Sequence, residues 1–198
     1  MQSIYWVRSW ACHRKCPHCY DNRFRPYVRD ALRAVVGEGQ AAWPRVLANL
    51  PDRMRWVDTK DCTQPTTLIL AGGELLIDGV REELFYPVLA GVRDRWGPRG
   101  RAGANGLLHA DYETNFCARW SGAKSLLEYG HAGSEVAIEP DGSLYPCRLK
   151  TQALLGNLTK EWLTDILDDL ATEPAIIAIK RGDVLIARGA VRLAAPRC

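Results

Sequence analysis

Aromatic and β-branched residues crowd residues 3–10 (SIYWVRSW), a run of strand length that stops where a cysteine-rich loop begins. That loop is therefore expected at a strand's carboxyl end. Residues 25–36 then space Tyr27, Val28, Leu32, Val35 and Val36 at helical intervals, and Gly37 is placed to end that helix. A second helix is expected around residues 41–50. Residues 66–70 (TTLIL) form a short apolar run opening into Ala71-Gly72-Gly73-Glu74, the pattern of a buried parallel strand and a glycine-rich loop. Residues 81–96 read as helical, with Pro87 a kink or break. Strand, loop and helix, twice in succession, predict an α/β fold with both loops where such folds place their chemistry.

The periodicity changes at residues 97–106 (GPRGRAGANG), whose glycines and proline mark a boundary, and no clear strand is expected before residue 135. Residues 135–147 alternate on both sides of Pro140-Asp141-Gly142, which predicts a hairpin because glycine supplies the positive φ of its turn. Residues 158–170 place Leu158, Trp162, Leu163, Ile166, Leu167 and Leu170 on one helical stripe, with Asn157 or Thr159 as cap. Tyr145 and Trp162 read as core, and a last hairpin is expected at residues 184–193. The organisation is thus residues 1–96, a glycine-rich and irregular segment over 97–132, and a C-terminal unit over 133–198.

Composition narrows the class. With 198 residues, 47% hydrophobic and 25% charged, the chain can bury a core and is expected to be globular. No apolar stretch approaches the roughly 20 residues that cross a bilayer, and the first ten residues lack a signal peptide's apolar run, so a soluble cytoplasmic protein away from membranes is expected. The net charge of +3 is uneven: the first sixty residues carry 11 Lys/Arg against 5 Asp/Glu, and the rest 15 against 18. That basic end favours anionic ligands. Its charges are spread among apolar residues rather than forming a Lys/Arg run, so no nucleic-acid partner is expected.

Seven cysteines are an odd number, and Cys12, Cys16 and Cys19 fall within eight residues, which is not a disulfide framework. In a reducing compartment such a cluster points to metal or catalysis. Three thiolates at C-x3-C-x2-C spacing can hold three corners of one iron-sulfur cube and leave the fourth iron open to a small molecule. Structural zinc, completed by His18 or His13, is the alternative, but zinc sites usually pair two short ligand couplets and no second couplet follows.

The loop Cys12-His13-Arg14-Lys15-Cys16-Pro17-His18-Cys19, placed after a first strand and followed by Gly-Gly-Glu after a second, resembles the hallmark of the radical S-adenosylmethionine (radical SAM) family. The resemblance implies a 4Fe-4S cluster on Cys12, Cys16 and Cys19, and S-adenosyl-L-methionine chelating the open iron. It implies reductive cleavage to a 5'-deoxyadenosyl radical that abstracts hydrogen from a peptide, protein or small-molecule substrate, with an electron donor such as a flavodoxin or ferredoxin. Gly72, Gly73 and Glu74 would bind the methionyl ammonium, and His18 stands where an aromatic residue packs near adenine. Leu75 stands where the family commonly has proline. Residues 136–147 and 155–158 resemble the SPASM or twitch extension, whose auxiliary iron-sulfur cluster would here have only Cys117, Cys147 and Cys198 to draw on. Taken with the length, the fold implied is an incomplete radical SAM-type (β/α) partial barrel, lacking its middle, with a small α+β extension. The alternative to an enzyme is a truncated, non-catalytic iron-sulfur or zinc-binding remnant.

Overall fold

Strand β1 (Ser3–Val7) is the axis of the structure, a computed structural model that describes residues 3–14, 22–53, 55–57, 62–97, 135–145 and 154–172. Ile4, Tyr5, Trp6 and Val7 are all buried, because the strand is paired on both edges and covered on both faces. On one edge it runs parallel to β4 (Thr67–Ala71), from Ser3 opposite Thr67 to Val7 opposite Ala71. On the other it runs parallel to β5 (Glu135–Ile138), from Ser3 opposite Glu135 to Trp6 opposite Ile138. Antiparallel β6 (Ser143–Tyr145) and β7 (Gly156–Asn157) complete a five-stranded mixed sheet of order β4-β1-β5-β6-β7. The fold is mixed α/β, as the alternation of strand and helix signals predicts. The hairpin of the C-terminal unit is hydrogen-bonded into the same sheet as the first strand.

The odd and even residues of β1 serve different layers, as the period of two requires. Ile4 and Trp6 join Leu70, Val136 and Ile138 in the main core, with Val36, Val46 and Leu47 of helix α1 (Arg29–Ala48) and Val88 and Val92 of α2 (Tyr86–Trp96). Tyr5, Ile69 and Ala137 form a smaller cluster on the opposite face. Each large apolar side chain fully buried this way contributes about 1.5–3 kcal/mol.

Helix α1 corrects the sequence reading. It is one helix of 20 residues, not two, and it runs through Gly37, Gly39 and Pro44. Glycine in a helix interior costs roughly 1 kcal/mol against alanine, which the burial of Val36, Ala42, Val46 and Leu47 offsets. Gly39 has a packing reason: a Cβ there would lie 2.6 Å from the Arg8 carbonyl oxygen and 2.8 Å from Leu84 Cδ2. The helix can approach the end of β1 only without a side chain at that point.

Residues 81–96 are helical throughout, but Arg81–Phe85 forms a π-helical turn leading into α2, and Pro87 falls in the first turn of α2. A proline has no N–H to donate back to Glu83. Gln40 of α1 supplies the missing donor, its Nε2 bonding the Glu83 carbonyl at 2.9 Å, so the break expected at Pro87 becomes a joint between two helices. A small hairpin of β2 (Arg55–Val57) and β3 (Thr63–Pro65), too short to register in the hydrophobic pattern, precedes β4.

The turn between β5 and β6 forms as expected: Gly142 has φ 86°, and Asp141 accepts bonds from the Ser143 backbone N–H and hydroxyl. Helix α3 (Leu163–Thr172) begins later than the stripe suggests. The Asn157 side-chain oxygen accepts from the Thr159 N–H, so it caps the turn over residues 157–160 rather than the helix. Leu158, Leu163, Ile166 and Leu167 are buried, whereas Trp162 is 51% exposed and outside the core. Asn49 ties the end of α1 to this segment, donating to Leu158 O and accepting from Leu163 N. The hairpin expected at residues 184–193 and the segment 98–134 lie outside the described residues. No described helix is long and apolar enough to cross a membrane.

The two glycines of α1 should separate by their surroundings, since nothing lies within 4 Å of a Cβ added at Gly37. Gly37→Ala is expected to stabilise the protein by about 0.5–1 kcal/mol, and Gly39→Ala to destabilise it by about 1–3 kcal/mol through overpacking against backbone. Denaturant unfolding of the two variants checks both signs.

Candidate functional site

The ladder between β1 and β4 does not stop where the strands end. Arg8 N donates to Ala71 O at 2.7 Å, Gly73 N to Ser9 O at 3.1 Å and Glu74 N to Ala11 O at 2.9 Å. The chain entering the cysteine loop and the Gly-Gly-Glu loop are therefore joined residue by residue beyond the sheet. Ser9 is buried, and its hydroxyl accepts from Ala11 N at 3.1 Å, which turns the backbone out of the strand. Cys12 follows, also buried.

Gly73 is where the two loops touch. A Cβ there would stand 2.3 Å from Ala11 O and 2.7 Å from Cys12 Cβ, so any side chain would push the loops apart. Gly72 is less confined, its nearest atom being Leu75 Cδ2 at 2.7 Å. Glu74, next in line, accepts from Arg14 Nε at 3.3 Å and from Leu76 N at 3.2 Å. The Arg14–Glu74 pair is open to water on the arginine side and contributes at most about 1 kcal/mol. A ligand cation can displace that guanidinium at little cost.

The far end of the cysteine loop is fixed as well. Ala11 and Arg25 form a parallel bridge, with Cys12 N donating to Arg25 O at 3.0 Å and Arg25 N to Trp10 O at 3.3 Å. Arg23, just before, makes a bidentate ion pair with Glu139 at the end of β5, at 3.0 and 2.8 Å. Its guanidinium lies 3.8 Å over the Trp10 ring, Trp10 packs on Phe24 at 5.2 Å, and the Tyr27 hydroxyl donates to Arg23 O. The C-terminal hairpin thus grips the exit of the loop whose entry is held by β4.

The expected site residues divide accordingly. Cys12 is brought against Gly73, and Glu74 is bonded through its backbone to Ala11 beside it. Cys16, Cys19 and His18 lie outside the described residues, as do Cys117, Cys147 and Cys198, while His13 follows Cys12 and Cys62 is exposed just before β3. Among the described residues no group of three or more His, Cys, Asp or Glu gathers as a metal site. The chain matches no known protein-family model, no curated protein and no solved structure.

Sequence reasoning did not single out Ser9, Trp10, Arg23 or Glu139, and the Arg23–Glu139 pair exists only across a separation of 116 residues. Glu139 belongs to an acidic group. Burial first, and then the charges of Asp141 and Glu139, push the Glu38 carboxyl on α1 above the usual carboxylate range. Burial and the same two carboxylates raise the Tyr145 hydroxyl. Arg23 is the cation that compensates Glu139 in this group.

Two outcomes are expected. A carboxyl raised in the folded state adds stability at acid pH and loses it as pH rises through its folded value. Glu38→Gln should therefore be more stable than wild type at neutral pH, with the difference vanishing below the ordinary carboxylate range, as thermal unfolding against pH will show. A double-mutant cycle of Arg23→Met and Glu139→Gln should give a coupling of about 1–3 kcal/mol, as a bidentate, mostly buried pair warrants.

Proposed function

We propose that this chain is a radical SAM-type protein that holds a 4Fe-4S cluster on Cys12, Cys16 and Cys19 and binds S-adenosyl-L-methionine beside Gly72, Gly73 and Glu74. The observation that carries the reading is the backbone joining of the two motif loops: Gly73 N on Ser9 O, Glu74 N on Ala11 O, and Gly73 against Cys12. Two motifs some sixty residues apart in sequence share the carboxyl edge of neighbouring parallel strands, where α/β folds bind ligands. A thiol-rich donor set suits iron-sulfur chemistry, and Cys12 stands at that edge. When bound, the cluster supplies the one-electron reduction that opens the sulfonium and yields a hydrogen-abstracting radical.

The chain's own residues have definable tasks. Ser9 and Gly73 set the path of the backbone into and alongside the cysteine loop. Glu74 offers its carboxylate to the methionyl ammonium in place of Arg14, and the lack of side chains at Gly72 and Gly73 lets the ligand approach the backbone. Trp10, Arg23 and Glu139 hold the loop's exit, and His18 would lie near the adenine. The fold proposed is an incomplete partial barrel of that family. A peptide, protein or small-molecule substrate, a flavodoxin or ferredoxin as electron donor, a cytoplasmic setting and an auxiliary cluster on Cys117, Cys147 and Cys198 belong to the same proposal.

A second reading, a non-catalytic iron-sulfur or zinc-binding remnant, is favoured by one observation. Only β4, β1 and β5 run parallel among the described residues, and β5 occupies the second edge of β1, against the six strands of a partial barrel. Such a sheet offers fewer strand ends to contact ribose, adenine and substrate.

Anaerobic reconstitution with iron and sulfide, followed by incubation with dithionite and S-adenosylmethionine, separates the readings. About four irons and four sulfides per chain, with 5'-deoxyadenosine released, are expected of a 4Fe-4S enzyme. Cys16→Ala should abolish cluster assembly, and Glu74→Gln should retain the cluster but weaken S-adenosylmethionine binding about tenfold or more. A cluster without cleavage establishes the remnant, and zinc without iron overturns both iron-sulfur readings.

A further inference from the structure

We propose that Arg8 and Trp6 form a buried binding site for the carboxylate group of a small ligand, on the helix-covered face of the sheet at the end of β1. Arg8 is the first residue beyond β1 and is wholly buried, and its guanidinium lies 3.9 Å over the Trp6 ring, itself wholly buried. Nε, Nη1 and Nη2 of Arg8 and Nε1 of Trp6 have no hydrogen-bond partner among the described residues. All four positions are donors and none is an acceptor. A natural fold rarely leaves one such group unpaired in its interior, and here two adjacent side chains present an entire set.

The glutamates that follow β4 and β5 are engaged elsewhere. Glu74 pairs with Arg14, and Glu139 pairs with Arg23. The same chain that gives Arg23 a bidentate carboxylate, and gives Arg95 the Leu50 carbonyl and the Asp52 carboxylate, leaves Arg8 with an aromatic face alone. Burial pulls the Arg8 guanidinium down to about 9, so it still carries its charge at neutral pH.

The chemistry selects the ligand. A planar guanidinium fork matches the two oxygens of a carboxylate, and the indole N–H beside it offers one further donor. Helix α1 packs directly on Arg8 at Gly39, whose Cβ would meet the Arg8 carbonyl oxygen and Leu84. The site stands at the carboxyl edge of the sheet, as ligand sites in α/β folds do, and its existence does not rest on the iron-sulfur reading.

Thermal unfolding and tryptophan fluorescence of the purified chain at pH 7, titrated with sodium formate, acetate, sulfate and chloride at matched ionic strength, test the proposal. Formate and acetate should raise the unfolding midpoint saturably by a few degrees, since a ligand bound only by the folded state stabilises it, and should change the fluorescence at the same midpoint concentration. Arg8→Met should abolish both responses, and in anion-free buffer should unfold at or above the wild-type temperature, because an apolar side chain replaces an unpaired ion. Trp6→Phe should remove the fluorescence change. If Arg8→Met does not fold, Arg8→Lys keeps the charge, loses the fork and should weaken carboxylate binding about tenfold or more. A wild-type chain without a saturable response, an Arg8→Met response equal to wild type, or sulfate and chloride acting as well as acetate would each overturn the carboxylate site.

Discussion

The parallel pairing of β1 on both of its edges is the constraint on which the rest depends. A central parallel strand satisfies its backbone groups on each side and must be covered on each face. That explains why Ile4 through Val7 are buried without interruption and why two separate apolar clusters, one on each face, form around them. It also explains the site. Because β1 and β4 run in the same direction, the segments leaving them depart from the same edge, and the hydrogen-bond ladder carries on into both loops as irregular backbone.

Close approach of backbones, rather than side-chain chemistry, then sets the fine geometry. Gly39 lets α1 lie against the Arg8 carbonyl, and Gly73 lets the second loop lie against Ala11 and Cys12. Neither position has the positive φ seen at Gly79, Gly97 and Gly142, so what they supply is space, not conformational freedom. The same economy appears at Pro87, where a lost helical hydrogen bond is restored by Gln40 from the neighbouring helix.

Charge is distributed unevenly around this frame. The basic excess of the first sixty residues is not a surface field alone: Arg23 is drawn into a pair with the buried Glu139, and Arg8 is enclosed on Trp6. The carboxylate that Arg23 meets comes from the C-terminal unit, and the one that Arg14 meets comes from the loop after β4. The hairpin after Glu135 therefore contributes both a strand to the sheet and the counter-charge that anchors the exit of the cysteine loop.

Much of this was legible in the sequence. The runs SIYWVRSW and TTLIL specify strands by hydrophobicity and branching, and Pro140-Asp141-Gly142 specifies its turn by the conformations those residues permit. The cysteine spacing and the Gly-Gly-Glu loop fall at strand ends as expected, and the structure brings Cys12 against Gly73 there. What the local pattern misread were places where a distant segment changes the balance. Gly37 and Pro44 weaken a helix locally, yet burial against the sheet carries α1 through them, and Trp162 follows a helical stripe yet stays half exposed because α3 starts one residue later. The choice of β5 as the second neighbour of β1, the Arg23–Glu139 pair and the enclosure of Arg8 were settled by tertiary structure alone. Local sequence fixes which conformations a segment prefers, whereas contacts across a hundred residues form only when the whole sheet chooses its strand order.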